Sequence, residues 1–214
     1  VKAAATGDIL LLEHANVSLS VDAFSRLHAS FERARERDQQ EAHLLRRKVK
    51  DAEAVLKRYE QVEQQTHGYT GTHPFMTVNR VLLETKEARR EYLAQEVTYA
   101  VKNKPPTHKL GSWQGVPIFV TIKYLAENPY TLAIADPYTG IELSCHPLWF
   151  EEGNQWRIDS KLEEFFRSLA EKIAAEHVWI ATHLQKADEF EVQAKTIFPQ
   201  HDPWQAALVR KGEL

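Results

Sequence analysis

The chain of 214 residues is short of several residue types, and each shortage excludes something. A single cysteine rules out an internal disulfide framework and any cysteine-based zinc finger. Eight glycines and nine prolines are too few for a collagen-like or low-complexity chain. No apolar run approaches the ~18 residues that mark a membrane-spanning helix. Neither sign of charge dominates, with 27 Lys plus Arg against 30 Asp plus Glu, so this is not a globally basic polyanion binder. There is no GxxxxGK[ST] and no GxGxxG, and so no glycine-rich turn to free the backbone N–H groups that cradle a nucleotide phosphate. Met76 is the only methionine, and the opening VKAAATGD has neither an initiator Met nor an apolar signal core. The chain reads as an excised piece of a longer one or as a trimmed one.

The scarce residues are unevenly spread. Residues 1–66 hold one Gly and no Pro, whereas 67–158 hold six of the Gly and seven of the Pro. This divides the chain into an N-terminal helical segment (1–71), an α+β lobe (72–158) and a return helix with a tail (159–214). In the first part Gly7 reads as a breaker, Asp8 as the cap of a short helix and Ser20 as the start of a long one. Phe24, Leu27, Phe31, Ala34, Leu45, Val49, Ala52, Leu56 and Tyr59 recur at steps of 3 and 4, an a/d seam that weakens at Asp38 and Glu41. A helix over 20–65 is roughly 69 Å long and needs a partner for its stripe. Ser160 with Glu163 forms a capping box that opens the return helix. Its stripe runs through Leu162, Phe166, Leu169, Ile173, Ile180, Leu184, Ala187, Ala194 and Ile197, ending before Pro199. The expected fold is α+β: a long antiparallel helical hairpin, coiled-coil-like, with a small, mostly antiparallel α+β lobe inserted. An intermolecular coiled coil is the competing arrangement.

Within the lobe, 75–84 reads as a strand, and Thr85 as the cap of a helix with Ala88, Tyr92, Val97 and Val101 inward. Lys102–Lys109 reads as a loop stiffened by Pro105 and Pro106. LGSWQG (110–115) reads as a hairpin or bulge, and 116–124, 130–135 and 141–145 as strands.

Enzymatic and metal chemistry finds little footing. Asn128-Pro129-Tyr130 and Asp136-Pro137-Tyr138 resemble the D/N-P-P-Y/F string of amino-methyltransferases but lack its second proline, so two β-turns are expected. His67 and His73 flank GYTGT, and His177 and His183 stand six apart, about 600° around a helix, which points them in different directions. Cys145 and His146 are strand neighbours facing opposite ways, so Cys145 reads as a small core residue. No cofactor and no metal are expected.

Nucleic-acid contact is better supported. From Val97 through Ala126 there is no acidic residue, while Lys102, Lys104, Lys109 and Lys123 accompany Trp113. Lysines neutralise phosphates and a tryptophan stacks on a base; in the plainer alternative the lysines are solubilising and Trp113 belongs to the core. A second basic cluster, Arg46, Arg47 and Lys50, sits on the long helix, although residues 1–66 balance 11 basic against 11 acidic groups.

Several strings spread over nearly the whole chain resemble one family. VKAAATGDILLLEHA looks like the segment after the last helicase motif in large bacterial, plasmid and phage Swi/Snf-type superfamily-two DNA helicases. Those proteins are associated with adenine-specific DNA methylases and anti-restriction. Phe75-x-x-Val78, KEA at 86–88, LGSWQG, GNQWRID at 153–159 and IFP at 197–199 follow in that family's order. Trp113, Gln114 and Val116 depart from its usual tyrosine, basic residue and aromatic. The resemblance implies a motor and methylase outside these residues. The chain is then a non-catalytic cytoplasmic accessory domain that contacts DNA or couples the helicase core to a methylase module. A protein–protein interaction or oligomerisation arm is the alternative. No membrane partner is implied.

Overall fold

In a computed structural model, the structure describes residues 2–66, 74–123 and 129–213, with the side chains of 2–10 left out. The fold is mixed α+β. Helix α1 spans Lys2–Thr66, followed by β1 (Met76–Val78), β2 (Val81–Leu83) and α2 (Lys86–Asn103). Strands β3 (Thr107–Trp113), β4 (Val116–Ile122), β5 (Tyr130–Ile134) and β6 (Ile141–Ser144) come next. After a 3-10 turn at Pro147–Phe150 the chain ends in α3 (Trp156–Arg167), α4 (Leu169–Ala194) and α5 (His201–Glu213). Two compact units emerge, residues 51–180 and residues 1–50 with 181–214.

In the unit 51–180, six strands form one antiparallel sheet in the order β2-β1-β3-β4-β5-β6. Side chains alternate across it. Val116, Ile118 and Val120 of β4 are wholly buried against Leu93 and Val97 of α2 and Ile158 and Leu162 of α3. Val62, near the end of α1, joins this cluster. The expected single strand over 75–84 is instead a tight hairpin: Asn79 and Arg80 take φ 48° and 69°, the left-handed pair of a two-residue turn. Gln114 and Gly115, at φ 49° and 88°, make a second such turn inside LGSWQG. The bulge lies just before it, between Lys109 and Gly111.

Thr85 caps α2 as expected, its hydroxyl accepting from the Ala88 N–H at 3.2 Å. The buried face of α2 is Arg89, Leu93, Val97 and Ala100, one position away from most of the expected inward set. Arg89 takes the place of Ala88 at the start of that face. Its Nε donates to Asp159 Oδ1 at 2.9 Å, and its Nη1 donates to the Pro74 and Glu84 carbonyls at 2.8 and 3.0 Å. Both side chains are inaccessible, Arg89 at 3% and Asp159 at 0%. A reading that sends arginine to solvent misplaces the face. Ser160 does not cap the return helix: α3 already begins at Trp156, and Ser160 Oγ donates to the Trp156 carbonyl from inside it. The single return helix divides at Ser168 into α3 and α4.

In the unit 1–50 with 181–214, α1 is helical through Gly7 and Ser20 without a break. Val21, Ala42 and Val49 are buried at seven-residue multiples, with Phe24, Phe31 and Asp38 half-buried between them, while Leu27 is 50% exposed. The seam thus continues through polar Asp38 rather than through Leu27. From α4, Ala187 and Ala194 are buried, and beyond it Phe198 rather than Ile197, which is 76% exposed. The expected tail is the helix α5. Trp204 of α5 stacks on His28 at 4.5 Å, Phe198 meets the same imidazole edge-on at 5.2 Å, and Arg210 pairs with Glu13.

Candidate nucleic-acid interface

The face of the sheet opposite α2 and α3 carries Thr107 and Lys109 from β3, Phe119 and Thr121 from β4, Thr131 and Ala133 from β5, and Glu142 from β6. Their register fixes this: Lys109 lies opposite Phe119, Phe119 opposite Ala133, and Ala133 opposite Glu142. Lys123, just past β4, continues the same alternation. Lys109 and Lys123 are exposed and Phe119 is half-buried.

Lys123 is locally engaged. Its ammonium donates to Glu142 Oε1 at 2.5 Å. That bond holds the Glu142 carboxyl below its usual range, helped by a bond from Thr131 and opposed by burial. Thr121 and Thr131 share a hydrogen bond at 2.5 Å beside it. Next to this ladder lies a groove of about 280 Å³, bordered by Pro106, Thr107, Thr121, Lys123, Asp136 and Tyr138. Asp136 Oδ1 accepts from the N–H groups of Tyr138 and Thr139 at 2.9 and 2.7 Å and from the Thr139 hydroxyl at 2.9 Å. These bonds lower its pKa, the Thr139 N–H first, and make the DPY string a side-chain-closed turn. The turn leaves the Tyr138 ring 81% exposed at the groove.

The eight residues expected to contact DNA fall in several environments. Trp113 is corrected outright: it is 0% exposed, on the inner face, with Phe166 stacked at 6.0 Å and the Arg89 guanidinium 5.0 Å from its ring. No base reaches it. Its position on β3 next to a two-residue turn fixes which way it faces, and that parity follows from the turn, which sequence spacing alone leaves open. Lys102 and Lys104 do not belong to a loop with Lys109. Lys102 lies in the last turn of α2, and Lys104 caps that helix at φ 49°, stopped by Pro105. They belong to the layer behind the sheet, whereas Lys109 and Lys123 share its outer face. Arg46 is held by acids, Nη2 to Asp188 at 2.7 Å and Nε to Glu191 at 2.6 Å. Arg47 and Lys50 are exposed on α1.

The sequence reading missed Tyr138 and Arg80. The signal for Tyr138 was the DPY turn, whose aspartate fixes the backbone and thereby presents the ring. The signal for Arg80 was Asn79, a residue tolerant of positive φ.

Cys145 is 2% exposed, and burial pushes its thiol up to about 11, which leaves it protonated and unreactive. His177 pairs with Glu60 at 3.4 Å. Asn128, His67 and His73 lie outside the described residues. Among the described residues no group of three His, Cys, Asp or Glu is placed to hold a metal ion, and no helix is long and apolar enough to cross a membrane.

Three strings of the sequence, KEA, GNQWRID and LGSWQG, meet inside the core. KEA leads into Arg89, GNQWRID ends in Asp159, and LGSWQG contains Trp113. They form one contact cluster. Compared with known proteins, the chain matches no family profile, no curated protein and no solved structure.

Proposed function

We propose that the chain is a non-catalytic module that contacts nucleic acid through the outer face of its sheet. On this reading it serves as an accessory domain of a cytoplasmic DNA helicase or DNA-modification protein and couples its motor to a methylase module. The observation that carries the reading is the sharing of that face by Lys109 and Lys123, with the exposed Tyr138 ring at its groove. Lysines supply the phosphate attraction and an exposed ring supplies sequence-tolerant stacking. The resemblance supplies the context of helicase, methylase and anti-restriction. On the same reading α1 and α4 form an antiparallel hairpin, supported by the Arg46 pairs with Asp188 and Glu191 and by the His177 pair with Glu60.

The test is a salt-titrated binding assay with labelled single-stranded and duplex oligonucleotides. Binding is expected to weaken steeply with salt, and Tyr138→Ala to cost about 1–3 kcal/mol on single strands alone. Flat or absent binding contradicts the reading.

A protein-interaction or oligomerisation arm is the second reading. It rests on Leu11, Leu12 and Leu19 of α1, which are 65–71% exposed. Sedimentation at rising concentration separates the two: self-association that Leu12→Lys and Leu19→Lys abolish, without salt-dependent DNA binding, favours the arm.

A further inference from the structure

We propose that the notch between the β1–β2 turn and the bulge of β3 is a seat for a single backbone phosphate of the bound nucleic acid, with Arg80 and Lys109 as its cations. This rests on the reading of the outer face given above. The notch is a cavity of about 240 Å³ bordered by Thr77, Asn79, Arg80, Tyr92, Lys109 and Ser112, with Val78 and Gly111 completing its wall. It exists because β1 is only three residues long and the chain turns back at Asn79–Arg80, while β3 runs on past it to Thr107.

Gly111 makes the close approach of β1 to β3 there. Its φ is +136°, and a Cβ at that position would lie 2.8 Å from Met76 Cε and 2.9 Å from the Thr77 carbonyl oxygen. The bulge beside it re-aims Lys109 relative to a regular strand.

The lining suits an oxyanion. It offers a guanidinium, an ammonium, three hydroxyls and an amide, and no carboxylate of the described residues borders it. Neither Arg80 nor Lys109 has an acidic partner among the described residues, in contrast to Lys123, tied to Glu142, and Arg46, tied to Asp188 and Glu191. Glu96 is engaged by His108 at 2.7 Å and by Tyr92. Burial and that carboxylate push the Tyr92 hydroxyl up to about 12, so it stays neutral and brings no negative charge to the notch. A guanidinium and an ammonium on one small site favour a phosphate through charge-assisted hydrogen bonds. The volume is below the ~300–1,000 Å³ of pockets that enclose drug-sized ligands. It admits a phosphate, with the base and sugar placed outside on the open face.

The test uses the whole chain and two probes, inorganic phosphate and a short single-stranded oligonucleotide, read by NMR chemical shifts and anisotropy. Arg80→Asn keeps a residue that tolerates positive φ in the turn, Lys109→Ala removes the second cation, and Lys211→Ala on α5 is the control. Phosphate is expected to shift Thr77, Arg80, Lys109 and Ser112 saturably in the parent and in Lys211→Ala, with at least tenfold weaker affinity in Arg80→Asn. Each notch variant is expected to weaken oligonucleotide binding equally across sequences and to lower the log–log salt slope by about 1. Oligonucleotide binding with unchanged affinity and slope in both variants overturns the phosphate seat while leaving the outer-face reading intact. Saturable phosphate binding without oligonucleotide binding overturns the nucleic-acid source, identifies a free-phosphate site, and removes the reading above it. Unsaturable shifts spread over all surface cations overturn the site altogether.

Discussion

The two units are stabilised in opposite ways. Residues 51–180 enclose a continuous core in which Leu93, Leu110, Trp113, Ile118, Leu132, Ile134, Ile158 and Leu162 are all 0% exposed. Residues 1–50 with 181–214 bury a thin line of small residues, Ala42, Val49, Ala187 and Ala194, and leave Leu11, Leu12, Leu19, Val192 and Ile197 65–76% exposed. The same contrast holds for ion pairs. Arg89–Asp159 is sealed inside the first unit, whereas the Arg46 side chain, held by two acids in the second, is 43% exposed. A sheet backed by a closed core holds side chains at fixed positions, as a preformed contact surface requires. A helical unit with a narrow seam relies on repeated weak contacts and leaves apolar surface exposed.

The largest expected effect of breaking this contrast is in the buried pair. Asp159→Ala leaves the Arg89 guanidinium buried without its partner and should cost about 3–5 kcal/mol in urea unfolding of the 51–180 unit. The double variant Arg89→Met with Asp159→Leu should recover most of that loss, because apolar residues of similar volume replace buried pairs well. Trp113→Ala follows at about 3–5 kcal/mol, through the cavity left beside Phe166. Retained stability together with lost DNA binding would show instead that Trp113 acts at the surface. Gly111→Ala should cost about 1–3 kcal/mol from strain at its positive φ and from crowding against Met76 and the Thr77 carbonyl. Arg46→Ala, an exposed pair, should leave the melting temperature within measurement error.

The smallest effect is on pH. Lys123 holds the Glu142 carboxyl below its ordinary value, so the contribution is complete above the normal glutamate range and fades as pH falls through the lowered value. Glu142→Gln should slightly lower the melting temperature at neutral pH, flatten the acid limb of the melting curve against pH, and converge with the parent at low pH.

Much of the architecture was legible because it rests on period. The alternation of Ile118, Val120 and Ile122 against Phe119, Thr121 and Lys123 gave β4 and its two faces, and Thr85 gave the start of α2. What was not legible depended on partners distant in sequence. Arg89 turns inward because Asp159 waits 70 residues away. Trp113 faces the core because the two-residue turn at Gln114–Gly115 pairs it with buried Val116, while the bulge between Lys109 and Gly111 reverses the alternation and sends Lys109 to the other face. The candidate surface was half legible: Lys109 and Lys123 do share a face, while Lys102 and Lys104 end a helix that chain proximity made look like a loop. The stacking ring was sought at Trp113, and the groove offers Tyr138.

One measurement tests the central claim most directly: amide and side-chain chemical shifts of the chain, mapped as an oligonucleotide is added at low salt. The expected perturbations fall on Lys109, Ser112, Phe119, Lys123 and Tyr138 and disappear as salt rises. Perturbations confined to Arg46, Arg47 and Lys50 on α1, or none at all, would contradict the assignment of the outer sheet face as the nucleic-acid contact.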